Sequence, residues 1–248
     1  MAGTSLINLA STFDSVIRIF EYIHFAETFG ADYEDSLLKL DNVNLRLSRW
    51  GEAVGLSNVS RNTRTLRGTK VVPEHIPQAS NLLGAILAAL EAAKDMDQKY
   101  NPDDPSIIKA EESLSYTGLS LHDVHQRIIG KRQNNLSAIR KVTWVLRDRE
   151  RFKVMIDRIV DKTKELEDLF PAARTQEKTI IDQEALELSE SLRVLKYAIS
   201  EQDQALASAL DAILKPLKET VDNTVYGGNV GVMAAKGSTF TQHIGDQK

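Results

Sequence analysis

The clearest helical pattern in the chain runs over residues 150–171, ERFKVMIDRIVDKTKELEDLFP. Its apolar side chains recur every three or four residues, which places them on one face of an α-helix. They are Phe152, Met155, Ile156, Ile159, Val160, Leu166, Leu169 and Phe170. Pro171 closes the pattern, because proline lacks the N–H that a continuing helix needs. The stretch therefore predicts an amphipathic helix that buries one face against its neighbours.

Similar spacing recurs on both sides of this stretch. It predicts six further helices, over residues 4–29, 32–55, 75–100, 119–132, 134–148 and about 175–215. Gly30 and Gly55 are placed to end the first two, and Pro77 suits the first turn of the third. Because no predicted helix is apolar all round, each is expected to bury one stripe, with Trp50 and Trp144 in the core. The predicted fold class is all-α, a multi-helix bundle.

Composition excludes several classes of protein. The chain has 248 residues, enough for one large or two small domains, and no cysteine, which excludes disulfides, cysteine-ligated zinc and thiol catalysis. The formal net charge is −4, so there is no global electrostatic case for nucleic-acid binding. We find no secretory signal, and the charge-free run at the start, Met1–Phe13, is shorter than the roughly 20 apolar residues that a membrane-spanning helix needs. A cytoplasmic location at rest is therefore expected.

No catalytic constellation is visible, and we expect neither an enzyme nor a cofactor. His122 and His125 lie three residues apart on a predicted helix and are a possible metal pair. No third ligand has useful spacing, which favours ordinary histidines on a helix surface. The charged residues of helix 32–55 are expected to form a solvated, salt-bridged face. These are Lys39, Asp41, Arg46, Arg49 and Glu52.

Residues 4–29 form the first predicted helix. One face is apolar, while Asp14, Arg18 and Glu21 fall on another, so the helix is expected to be amphipathic. Two interpretations remain open: one more helix of the bundle, or a segment that inserts into a membrane. The candidate membrane-inserting residues are Leu6, Ile7, Leu9, Phe13, Val16, Ile17, Phe20 and Ile23.

The last residues differ in composition from the rest. Five of the 13 glycines fall in the final 26 residues, which places a predicted boundary between a helical domain, 1–221, and a tail, 222–248. The tail contains two short β-prone runs, 229–235 and 239–244, with few charges and no proline. Such runs are typical of stacked cross-β segments, whereas a single hairpin of this size is not stable alone. The tail is expected to be disordered alone and ordered on assembly, or else a terminus without a role.

Residues 45–54, LRLSRWGEAV, are the most specific string in the chain. Together with 20–22, 29–34, 141–146, 159–161 and 165–171 they resemble the HeLo domain of fungal heterokaryon-incompatibility proteins. The resemblance covers roughly residues 6–215. It implies a helical domain that executes cell death.

The tail resembles the short PP-type amyloid signalling motif of fungal HELLP-type proteins, a relative of the animal RHIM motif. The positions that match this motif are Asn229, Gly231, Ala235, Gly237, Gln242, Gly245 and Asp246. The apolar residues of the two β-prone runs, Val230, Val232, Phe240 and Ile244, complete the set of candidate motif positions.

These resemblances imply a signalling route. A NOD-like receptor with a matching motif templates the tail into a cross-β fold, a β-solenoid. The helical domain, a dimer at rest, then releases its N-terminal helix to plasma-membrane lipids, oligomerises and permeabilises the membrane. The alternative is a non-toxic helical adaptor or scaffold that dimerises and is recruited through its tail.

Overall fold

The computed structural model describes residues 2–60, 65–93, 107–108, 113–133, 144–188, 200 and 202–214. They belong to one compact unit, Met1–Lys215. The predicted amyloid motif and the boundary at 221–222 lie outside the described residues. The same holds for residues 94–100 and 134–143, which were predicted to be helical.

The part of the chain that the structure describes contains seven α-helices, two short strands and four short 3-10 segments. The strands, β1 (Ile23–Phe25) and β2 (Trp144–Leu146), pair in parallel with Ile23 opposite Trp144. The all-α class predicted from the sequence is confirmed. The helices are α1 (Ala2–Phe20), α2 (Tyr33–Val54), α3 (Ile76–Ala93), α4 (Tyr116–Arg132), α5 (Arg149–Leu169), α6 (Arg174–Leu188) and α7 (Gln204–Leu214).

Helix α2 lies at the centre of the bundle. It packs against α1, α4, α5 and α6, while α3 packs against α1 and α5, and α7 packs against α6. Most of its side chains are buried, including polar ones such as Asn42 and Ser48. The core is therefore arranged around one long helix that carries polar groups inside the protein.

Three predicted helices agree closely with the structure, and their ends have local causes. Helix α2 ends at Gly55, whose φ of 86° is the left-handed conformation that glycine adopts readily. Helix α4 begins where the Ser115 hydroxyl accepts a hydrogen bond from the Gly118 amide. Helix α5 begins where the Asp148 side chain accepts one from the Arg151 amide.

The prediction of one helix over 4–29 is wrong beyond Phe20. The chain there forms β1 and then a 3-10 segment, Glu27–Asp32. Phe25 packs edge-to-face against Phe29, Tyr33 and Phe152, with ring centroids 4.7, 5.6 and 5.4 Å away. Contacts with distant aromatic residues and with β2 therefore outweigh the local helical spacing.

Two further helix predictions are wrong in part. Residues 144–146 belong to β2 rather than to a helix over 134–148, because they pair with β1. The continuous helix over 175–215 is also wrong, since Ser200 and Gln202 are turn residues and α7 starts anew at Gln204. The carboxylate of Asp203 caps this new start by accepting a hydrogen bond from the Leu206 amide at 3.0 Å.

Candidate functional site

Helix α1, the candidate membrane-inserting segment, is enclosed by the rest of the bundle. Seven of the eight predicted residues are buried, and Ile7 is partly buried against the core. Ile23 is among the buried residues but lies on β1 rather than on α1. Between residues 5 and 20 only Ser5 and Asn8 are exposed. Contact between this face and a lipid bilayer therefore requires α1 to leave its site.

Asp14 was predicted to lie on the polar face of an amphipathic helix, yet its side chain is not exposed to solvent. Its carboxylate is only 2% exposed and pairs with Arg18 Nε at 3.0 Å, one helical turn along. The pair keeps both charges on α1 itself, so the helix carries its own counter-ion.

Gly51 brings α1 and α2 together. A Cβ atom at this position would overlap the ring of Phe13 on α1, so only glycine leaves the space that the ring fills. The Phe13 ring also packs edge-to-face against Trp50, with 5.8 Å between the ring centroids. Phe13 is thus held between two consecutive residues of α2.

Trp50 links α2 to α5. Its indole Nε1 donates a hydrogen bond to the Leu166 carbonyl oxygen at 3.2 Å, and its ring lies 5.9 Å from the ring of Phe170. The side chain is 1% exposed, so this residue is part of the core. The side chain of Trp144, the second predicted core tryptophan, lies outside the described residues.

Arg49 lies in a buried ion cluster. Its Nε is 3.0 Å from Glu184 Oε2 on α6, and its Nη2 is 2.6 Å from Asp203 Oδ2 beside α7. All three side chains are at most 3% exposed. Glu184 also accepts a hydrogen bond from Arg132 Nη1 of α4 at 2.7 Å. Four parts of the chain therefore meet at Arg49, with every charge paired.

Asp203 is held ionised by this cluster. Burial acts to raise the pKa of its carboxyl group, but the charge and hydrogen bond of Arg49 outweigh burial and hold the pKa below its ordinary value. The Arg49 guanidinium remains charged for the reciprocal reason, since burial opposes its charge and Asp203 and Glu184 outweigh it.

The turn before α7, residues 202–203, is bound by three side chains of α2. Asn42 Nδ2 donates to Gln202 Oε1 at 3.3 Å, and Arg46 Nη1 donates to the Gln202 carbonyl oxygen at 2.7 Å. Arg49 binds Asp203. These α2 residues are at positions i, i+4 and i+7, hence on one face of the helix. We call residues 202–203 the α7 lead-in.

A cleft of about 910 Å³ lies beside this cluster, between α2, α5, α6 and the α7 lead-in. Glu177 of α6 lines it. Burial, then the neighbouring Glu167 carboxylate, raises the pKa of Glu177 to about 7. Glu167 itself accepts two hydrogen bonds from Arg46, at 2.9 and 2.8 Å. The cleft therefore holds a carboxyl group that titrates near neutral pH.

The two histidines do not form a metal pair with a third ligand. His122 Nδ1 is 2.7 Å from Asp41 Oδ2, and His125 Nδ1 donates to the Leu121 carbonyl oxygen at 2.7 Å. His125 is fully buried, so the expectation of two surface histidines is wrong for it. Burial lowers the pKa of His122, but the bond and charge of Asp41 outweigh it and raise the pKa. Within the described ranges, no group of three potential metal ligands is present.

Of the described helices, one is long and apolar enough to cross a membrane by length and composition alone. It is α3 with the turn before it, Pro73–Ala93. The core helix of a soluble protein meets the same criterion, so this finding is weak evidence for a membrane segment.

Reasoning from the sequence missed the ion cluster. The charged residues of α2 were predicted to form a solvated face, yet Asp41 and Arg49 are 2% and 1% exposed. A signal was present, because Asn42, Arg46 and Arg49 recur at i, i+4 and i+7 and therefore lie on one side of α2. That spacing indicates a polar partner inside the protein but does not identify it.

The family model that matches this chain is HeLo, described as "Prion-inhibition and propagation", and it covers residues 2–197. Heterokaryon incompatibility proteins S and s of Podospora anserina are 28% and 29% identical to it over 242 residues. Each alignment spans 92% of this chain and 82% of the relative.

Two solved structures share the fold. The HET-S N-terminal domain aligns with a TM-score of 0.70 and 25% identity, over 86% of this chain and 100% of that domain. A double mutant of the HET-s N-terminal domain aligns with a TM-score of 0.70 and 26% identity, over 82% of this chain and 97% of that domain.

Proposed function

Because the chain belongs to the HeLo family, we propose that it is a cell-death execution protein of the heterokaryon-incompatibility type. Its tail, 222–248, is the receiver, and its helical domain is the effector. A NOD-like receptor with a matching motif templates the tail into a cross-β stack. The helical domain then releases α1, oligomerises and permeabilises the plasma membrane. The protein is cytoplasmic at rest and needs no catalysis for this role.

One observation supports the proposal above the others. Consecutive residues of α2 bind the two helices that the route requires to move. Arg49 binds the α7 lead-in, and Trp50 and Gly51 hold Phe13 of α1. The tail follows α7 in the chain, so a change in the tail is expected to act first on α7 and on its contact with Arg49.

The energetics allow the coupling. A whole domain is stable by roughly 5–15 kcal/mol, and displacing one helix costs part of that. Cross-β stacking supplies the free energy, because each added chain pairs its backbone with the chain before it. The conversion then proceeds as long as stacking continues.

The charges of α1 constrain the membrane step. Asp14 and Arg18 are costly in a hydrocarbon core as single ions. Their 3.0 Å pairing lowers that cost, because the helix enters with no net charge at this turn. We propose insertion as an oligomer, with the Asp14–Arg18 side lining a polar pore and the apolar residues facing lipid.

Vesicle leakage tests the proposal. Full-length protein is mixed with dye-loaded vesicles containing anionic phospholipid, with or without preformed fibrils of a 218–248 peptide. We expect leakage only when protein and fibrils are both present. Gln242→Pro in the full-length chain is the matched control, since proline removes a ladder donor and blocks stacking. Equal leakage from Gln242→Pro would contradict activation through the tail.

The enclosure of α1 supports one alternative, a non-toxic dimerising adaptor. Because α1 contributes to the core, a protein that keeps it in place still folds and still presents its tail. The leakage assay separates the two functions. An adaptor joins the fibrils, which sedimentation detects, and leaves the vesicles intact.

A further inference from the structure

We propose that the Arg49–Asp203 ion pair is an autoinhibitory latch: while it is closed, α7 stays docked and α2 keeps α1 enclosed. The latch comprises Arg49, its second partner Glu184, and the α7 lead-in. Its biological meaning rests on the proposed function, because only an effector that releases α1 needs a restraint on it. Its physical existence can be tested without a membrane.

The α7 lead-in is held by one face of α2. Asn42, Arg46 and Arg49 lie along one face of α2 and bind a side-chain oxygen, a carbonyl oxygen and a carboxylate, respectively. This face therefore selects an acceptor-rich turn with an acidic residue at one position. Asp203 meets that requirement and also caps α7 with its other oxygen.

The latch has an all-or-none character because its charges are buried. When Asp203 is present, Arg49 faces two carboxylates. When Asp203 leaves, Arg49 keeps only Glu184, which Arg132 also binds. A buried arginine left with one shared carboxylate is unfavourable, so water is expected to enter around Arg49 and to loosen this turn of α2.

Besides the lead-in, a short apolar stripe holds helix α7. Among the side chains that the structure describes, Leu206, Ala207 and Leu210 are buried and Ala209 is partly buried against the core. The helix has 11 residues. Isolated helices of this length are marginal in water. Once the lead-in is free, α7 is therefore expected to unwind rather than to dock again as a preformed helix.

Opening at Arg49 reaches α1 through the next two residues. Trp50 and Gly51 form the surface on which the Phe13 ring packs, and that surface exists only while this turn of α2 is intact. Loss of the Phe13 contacts weakens the α1–α2 interface. Release of α7 and exposure of α1 are thus predicted to be one event.

Thiol labelling tests the latch directly, because the chain has no cysteine of its own. Ala207→Cys reports on α7 and Ala10→Cys reports on α1, since both alanines are buried. Asp203→Asn is introduced into each reporter in the full-length chain. Asparagine keeps the capping acceptor but removes the charge. We expect both thiols to react about tenfold faster or more, as loss of a buried charge pair predicts.

The matched control is Asp168→Asn, which removes a carboxylate from an exposed pair with Arg174 at the same cleft. It is expected to change neither rate. An Asp203→Asn chain in which neither thiol reacts faster overturns the latch. If only the Ala207→Cys thiol reacts faster, the ion pair holds α7 without restraining α1. That result also overturns the latch.

Hydrogen exchange of the wild-type protein decides the matter if Asp203→Asn fails to fold. The latch predicts that the amides of α1 do not exchange with solvent while those of α7 remain protected. Exchange of α1 behind an intact α7 overturns it. Neither measurement uses vesicles, so absent leakage would count against the proposed function and leave the latch to its own test.

Discussion

Gly51 leaves the space on α2 that the Phe13 ring of α1 occupies. We predict that Gly51→Ala destabilises the protein by about 1–3 kcal/mol, because the new methyl group forces the ring out of a packed site. Urea unfolding measures the loss. The Ala10→Cys reporter is expected to react faster in this variant, since α1 loses the packing of Phe13 against α2.

Gly84 provides the control for this change. It lies in α3, is exposed, and a Cβ there would meet no atom within 4 Å. Gly84→Ala is therefore expected to leave stability unchanged or to raise it by up to about 1 kcal/mol through helix propensity. If Gly51→Ala matched Gly84→Ala in urea, the α1–α2 contact would be looser than the structure shows.

Glu177 makes the stability of the cleft depend on pH. Its pKa is raised to about 7 by burial and by Glu167, with Asp203 adding to the rise and Arg49 opposing it. Between the unfolded value of 4.5 and about 7, the folded state binds more protons, so stability falls as pH rises. Arg46 and Lys164 face the same cleft from α2 and α5.

We predict that Glu177→Gln removes this pH dependence. The variant is expected to gain stability over wild type at pH 8 and to differ little at pH 5, as urea midpoints at the two values will show. Glu187→Gln, on the exposed side of the same helix, serves as the control. A Glu177→Gln midpoint that falls between pH 5 and pH 8 as steeply as the wild type's would mean that Glu177 does not carry the effect.

At the scale of the element, some helices follow from local spacing and others do not. Helix α5 was predicted almost to its ends, because its apolar period and the Asp148 cap are both local. Strand β2 was not predicted, because its pairing partner β1 lies far away in the chain.

Local pattern also cannot separate a solvated polar face from a buried one. Arg49 appeared exposed because its partners, Glu184 and Asp203, come from distant segments.

Helices α1 and α3 compete for the role of membrane segment. Helix α3 is the more apolar candidate by composition, whereas α1 is enclosed and joined to the latch. We predict that α1 enters the bilayer. Ala10→Cys is labelled with a polarity-sensitive dye after fibrils have exposed it, and the dye is expected to shift to the blue and to be quenched by spin-labelled lipids when vesicles are added.

Ala88→Cys is the comparison site, because it lies on the exposed face of α3. Dye at this position is expected to report water before and after activation. Quenching at Ala88→Cys with none at Ala10→Cys would assign the membrane segment to α3 instead. Quenching at both would indicate that the two helices, which pack together at rest, insert as a pair.

At the scale of the whole molecule, the proposed route has to turn stacking into force on α7. Strands in a cross-β stack lie about 4.7 Å apart. A domain of some 215 residues has a radius of gyration of about 17 Å. Intact domains therefore cannot all sit beside a stack unless their linkers are long. Crowding at the stack surface is expected to pull on the segment between the helical domain and the tail. Helix α7 is the last described element before that segment.

Linker length is therefore predicted to control activation. Residues 215–221 separate α7 from the predicted tail. Inserting a flexible Gly/Ser segment of about 20 residues after Val221 adds a reach of roughly 25 Å. Fibrils are expected to form as in wild type, because the tail is unchanged, while vesicle leakage and labelling of Ala207→Cys decline. A Gly/Ser extension of equal residue count after Lys248 controls for added chain length alone, because it leaves the segment between α7 and the tail unchanged. Undiminished leakage with the flexible insert would mean that the tail acts by contact with the domain rather than by tension, and the route from stack to α7 would have to be redrawn.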